Sequence, residues 1–195
     1  MTAGGHRHLA GAILVLALLA GRAAPQAGAD EPEKLPAGEQ AYLLWRNGYL
    51  LHLLGRYDQA VLSFRKSIEI HPTAEAHTFL GWSLSQLGHL DDAITECKKA
   101  IALDPDYGNP YNDIGAYLME LGRPDEAIPW LEKAVAARRY CCYQFAHFNL
   151  GRALLMKGRV GDARRSFEQA LAYDPDYLPA LKALEYLRIR GIEEL

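Results

Sequence analysis

Cysteine is scarce in this chain of 195 residues: Cys97, Cys141 and Cys142 are all there is. Three cannot form the framework of a disulfide-stapled domain, so stability must come from a core. The Cα atoms of neighbours such as Cys141 and Cys142 stand ~3.8 Å apart across a trans peptide, short of the usual disulfide span. Free thiols or small, partly buried hydrophobes are expected, with an intermolecular or redox role for the pair as the alternative. Charge of one sign is lacking too. The 21 basic and 24 acidic residues give a net charge of -3 with no long run of either sign, which leaves no footprint for a nucleic-acid backbone. Also missing are H-E-x-x-H, C-x-x-C, G-x-S-x-G and a phosphate-cradling glycine loop. No catalytic site, metal or cofactor is expected.

An uninterrupted apolar run of the ~20 residues needed to span a membrane is likewise absent. The longest, Leu9 to Gly21, is followed by Arg22 and Pro25 and preceded by His6, Arg7 and His8. That is the shape of a secretory signal. Ala27 and Ala29 fit an A-x-A site ahead of Asp30, so residues 1–29 are expected to be cleaved, an uncleaved anchor being the alternative. Loss of Arg7 and Arg22 leaves 19 bases against 24 acids, or -5, and no cysteine lies nearby to take a lipid. The mature chain is expected to be periplasmic or secreted, with no membrane span. Residues 30–40, with Pro32 and Pro36 among charges, are expected to form a disordered leader.

What is present is a repeat. Gly48, Gly81, Gly115 and Gly151 are separated by 33, 34 and 36 residues. Seven positions after each stands a second glycine, Gly55, Gly88, Gly122 or Gly158. Then come Ala60, Ala93, Ala127 or Ala163, and four further on Phe64, Cys97, Leu131 or Phe167. Pro72, Pro105 and Pro175 close three of the units. In the third, Tyr111, Ile114, Gly115, Leu118 and Leu121 mark one face of a helix, and Ala127, Ile128, Leu131, Ala134 and Val135 mark another. The second glycine suits a left-handed helix end. Asp58, Asp91 and Asp125 follow where an acid favours a new helix N-terminus. Small residues at the shared positions let two antiparallel helices approach, and proline ends each unit.

These residues make the chain resemble the tetratricopeptide repeat family, whose units run aromatic, leucine, glycine, alanine, aromatic, alanine, proline over ~34 residues. The resemblance covers residues 41–175 and implies an all-α, right-handed solenoid of four helical hairpins. The hairpins are expected over 41–73, 74–107, 108–143 and 144–176, with a capping helix and tail over 177–195. Departures are His77 and His147 at the aromatic position, Asn47 for leucine, and Arg139 for the third proline, followed by the extra segment Tyr140 to Tyr143. A structural role is expected for both histidines. In the capping helix, Leu181, Leu184 and Leu187 are expected to cover the last hairpin.

The resemblance also implies that the first helix of each unit, roughly Ala41–Leu54, Ala74–Leu87, Gly108–Leu121 and Gln144–Lys157, lines a concave groove. Groove positions then hold Tyr42, Trp45, Tyr49, Glu75, Trp82, Asn112, Met119, Phe145, Phe148 and Arg152. The family's carboxylate clamp of lysines and asparagines is not matched, because Trp45 and Tyr49 occupy its places in the first unit. An aromatic channel is expected instead, with Asn112 holding a peptide backbone and Arg152 meeting a carboxylate. The ligand would be an apolar segment, extended or helical. The alternative is that several of these aromatics serve packing. Function is expected to be scaffolding of another exported or envelope protein in assembly of an envelope or secretion complex. An accessory subunit of an envelope enzyme, contacting it through the outer surface with Cys141 and Cys142, is the competing class.

Overall fold

The computed structural model describes residues 35–190. The expected signal segment, the leader up to Lys34 and the last five residues lie outside it. Helices run in order α1 (Ala37–Leu53), α2 (Tyr57–Ile70), α3 (Ala74–Gln86), α4 (Leu90–Leu103), α5 (Gly108–Glu120), α6 (Pro124–Ala136), α7 (Tyr143–Met156), α8 (Val160–Tyr173) and α9 (Leu178–Ile189). Each odd helix pairs with the even helix after it, and each hairpin stacks on the next. The result is a right-handed α-solenoid closed by α9.

The turn within every hairpin is the same. Its glycine has φ between 71° and 82°, where a Cβ is penalised. In the first hairpin the Gly55 N–H donates to the His52 carbonyl and the Arg56 N–H to the Leu51 carbonyl. This Schellman closure satisfies carbonyls that the helix end leaves free. The even helices carry acids in their first turn but no side-chain cap, so the acids act through the helix dipole. The other glycine permits close approach: a Cβ on Gly151 would sit 2.5 Å from the Phe167 ring, and one on Gly48 2.9 Å from Phe64. Phe64, Phe167, Leu131 and Cys97 are thereby wholly buried between helices.

The departures from the repeat are structurally compensated. Asn47 donates from Nδ2 to Ser63 Oγ at 3.0 Å, and Ser67 donates to the Ala41 carbonyl at 2.7 Å, so polar pairs replace apolar ones across α1 and α2. His77 meets Glu96 at 2.6 Å, the structural role expected. Burial alone would raise the Glu96 carboxyl, but His77 and Lys99 hold it below its usual range. Arg139, where proline was expected, exchanges backbone hydrogen bonds with Asp106 and Gly108 and pairs with Glu75 at 2.9 Å and Asp104 at 2.6 Å.

Four expectations are corrected. First, helix α1 starts at Ala37, so the end of the supposed leader is an extra helical turn, with Glu39 in its first turn and Gln40 donating to the Leu35 carbonyl. Second, Cys141 and Cys142 are joined as neighbours in a disulfide rather than free; Cys97 alone is a buried free thiol. Third, Leu181 is exposed, because Ala180, Leu184 and Leu187 occupy the face turned to the last hairpin. Fourth, Met119 is only 6% exposed and belongs to the core, which leaves it little surface to offer a ligand.

Candidate binding groove

The odd-numbered helices also touch one another. Helix α1 meets α3, α3 meets α5 and α5 meets α7, while successive even helices have no comparable contact. The odd helices therefore form the inner layer of the curve, and their free faces are the candidate site.

At the end formed by α1 and α3 the inner face is aromatic. Tyr42, Trp45 and Tyr49 recur at i, i+3 and i+7, so their rings stack in sequence at 5.9 and 5.8 Å. Phe79 of α3 sets its edge against both Trp45 and Tyr49 at 5.3 Å and against Trp82 at 5.2 Å. Such edge contacts align the ring quadrupoles. His52 stacks on Trp82 at 5.5 Å, and burial pushes its pKa down. Tyr42 remains 54% exposed and Trp82 38%, whereas Trp45 and Tyr49 are partly buried against the core. Packing thus accounts for Trp45 and Tyr49, while Tyr42 and Trp82 keep exposed surface. A cavity of about 290 Å³ opens beside them, lined by Ala41, Tyr42, Trp45, Ser67, His71 and Glu75 among others. Glu75 at its rim is already paired with Arg139.

Across α5 and α7 the inner face changes character. Arg152 donates to Asn149 Oδ1 at 3.3 Å, Asn149 Nδ2 donates to Asn112 Oδ1 at 2.9 Å, and Asn112 Nδ2 donates to Asp113 Oδ1 at 3.3 Å. This relay ends on a carboxyl that is 6% exposed and whose Oδ2 has no partner. Burial pushes the Asp113 pKa up to about 7, against the pull of Asn112 and Trp82. Beyond the relay, Phe145 (42% exposed) and Phe148 set their rings against Tyr177 at 5.4 and 5.5 Å, and the Arg152 guanidinium lies 5.9 Å from the Phe148 ring centre.

Of the expected groove residues, the structure brings Tyr42, Trp45, Tyr49 and Trp82 into one cluster, and Asn112 and Arg152 into one relay. Phe145 and Phe148 form a third group with Tyr177. Sequence reasoning missed Phe79, Asp113, Asn149 and Tyr177. A signal for two of them existed: Phe79 stands at i-3 from Trp82 and Asn149 at i-3 from Arg152, which puts each on its partner's face.

A solenoid of stacked hairpins with an open, partly aromatic inner layer defines a helical-repeat protein of the kind that binds other proteins. Tetratricopeptide repeat models match residues 41–73, 74–107 and 106–176, and the chain belongs to the tetratricopeptide repeat family. It is 30% identical over 149 residues, 74% of its own length, to the type IV pilus assembly protein PilF of Pseudomonas aeruginosa. A solved structure from the functional characterization of Pseudomonas aeruginosa PilF superposes with a TM-score of 0.75 at 25% identity, over 80% of this chain and 70% of that one. PilW, a type IV pilus biogenesis factor, shares the fold with a TM-score of 0.71 at 24% identity, over 77% of this chain and 70% of that one. The chain spans less than two thirds of the length of the curated relatives it matches, 58% in the case of PilF.

Proposed function

We propose that this protein is an exported scaffold that holds a peptide segment of another envelope protein in its inner groove during assembly of an envelope or secretion complex. The carrying observation is the aromatic cluster of α1 and α3, where Tyr42 and Trp82 stay exposed and Tyr42 and Trp45 line an apolar cavity. Exposed aromatic side chains on a rigid helical support are the usual anchors of protein recognition. The asparagines of α5 and α7 supply amide groups for a peptide main chain. Its action is binding rather than catalysis. Similarity to a pilus assembly protein supports the envelope setting. Export is supported by the signal-like segment ahead of Asp30.

The test is affinity capture from native envelope extract with the whole chain, compared with a Trp45→Ala/Trp82→Ala variant whose melting curve is checked first. A partner lost with this variant, yet kept by Cys141→Ser/Cys142→Ser, supports the groove. Partners that follow the cysteine change instead would move the function to the outer surface, as in an accessory subunit. Detection of residues 1–29 in the native mature protein would sink the cleavage expectation.

A further inference from the structure

A buried carboxylate oxygen with no partner is costly to a fold, because ionising it leaves an uncompensated charge in a poor dielectric. Asp113 is in that position. Its Oδ1 is held by Asn112, while Oδ2 has no well-aligned hydrogen bond and the Trp82 side chain is the other donor drawn to the carboxyl. The groups packed around it are neutral in their ordinary states, namely Trp82 on α3, Cys97 on α4, Tyr107 in the turn before α5, Tyr117 on α5 and Tyr140 in the segment before α7, and the one cation of the relay, Arg152 on α7, stands beyond Asn112 and Asn149. His52 stacks on Trp82, and burial disfavours its charged form. The two side chains that interact with the carboxyl are each suited to a cation: Trp82 has an exposed ring, and the Asn112 amide oxygen uses one lone pair on Asn149 and keeps a second.

We propose that the segment bound in this groove carries a lysine or arginine among its apolar residues, seated against Trp82 and Asn112 over the buried Asp113 carboxylate. The inference rests on the groove function proposed above and adds the charge of the ligand to it. Asp113 lies one layer beneath the surface, so it acts on the bound cation through its field and through Asn112 rather than by direct contact. At separations of several Å in a partly buried setting such a field favours a lysine over a glutamine by about ten-fold. Because burial pushes the Asp113 pKa up to about 7, arrival of the cation is expected to drive its proton off.

The experiment is selection of random twelve-residue displayed peptides on the whole chain and on its Asp113→Asn variant, followed by calorimetry of the selected peptide and its lysine-to-glutamine analogue. Expected are apolar sequences enriched in lysine or arginine at one register, about ten-fold weaker binding of the glutamine analogue, and proton release at pH 7 seen as a buffer-dependent heat. The Asp113→Asn variant should keep the apolar preference and lose both the basic preference and the proton release. Selected peptides without a basic preference, but lost on Trp45→Ala/Trp82→Ala, would overturn this inference and leave the groove function standing. Peptides that bind the tryptophan variant equally well, or no selected peptide at all, would overturn both.

Discussion

The inner layer has two halves of different chemistry. Helices α1 and α3 present stacked rings around Trp45, Phe79 and Trp82, while α5 and α7 present the relay from Arg152 to Asp113. The backbones are near copies: the same Schellman turn and the same close helix approach recur in both halves. Near-identical frames carrying different side chains show that the repeat positions specify the support and leave the positions between them free to vary. The aromatic half presents apolar area and the polar half presents amide and guanidinium groups.

The largest effect is expected from removing the aromatic half. Trp45→Ala with Trp82→Ala should weaken partner binding by about 4 kcal/mol, read as loss of capture at a preserved circular-dichroism spectrum. Next comes the frame on which the polar half stands. Gly115 lies against the Leu131 side chain, so Gly115→Leu should cost about 3 kcal/mol through overpacking and lower the thermal midpoint clearly. An unchanged melt would remove the close-approach account of that glycine.

A smaller effect, of opposite sign, is expected at Asp113. The unfolded chain loses this proton near its ordinary value of 3.8, the folded chain only at about 7. Between those values the folded state holds a proton that the unfolded state has released, so stability falls as pH rises across the window and the loss is complete above about 7. Asp113→Asn should therefore stabilise by about 2 kcal/mol at pH 8 and little at pH 4, measured by denaturant titration at both. A gain that is the same at both values would place its cause outside ionisation. The smallest change is expected from Arg139→Ala. Its ion pairs with Glu75 and Asp104 are roughly half exposed, and such pairs contribute about 1 kcal/mol or less, diminishing with salt.

The solenoid was legible in the sequence because each class of repeat residue answers one local demand: a left-handed turn at Gly88, close approach at Gly151, filling at Phe167. Local demands recur in local spacing. The aromatic cluster was legible for the same reason, since Tyr42, Trp45 and Tyr49 share one helix face. The relay was not, because Asn112 and Asn149 are 37 residues apart and meet only when α5 and α7 lie side by side. Met119 misled because its helical phase alone does not reveal that α5 turns it into the core. Leu181 misled through spacing: three leucines at every third residue drift around a helix of 3.6 residues per turn, and Ala180 takes the buried place.

Arg139 has a consequence for how the array comes apart. A stacked repeat protein behaves as a row of units coupled to nearest neighbours, and such rows fray from their ends. The Arg139 guanidinium reaches the first turn of α3 and the end of α4 from beyond α6, partners 64 and 35 residues away, and lies 4.1 Å from the Tyr107 ring centre. Those contacts tie the ends of the second hairpin to the segment that closes the third. They add a small increment to the packing between the second and third hairpins, so amide exchange in α3 and α6 is expected to be more closely coupled than exchange in the terminal hairpins, by a margin that shrinks with salt.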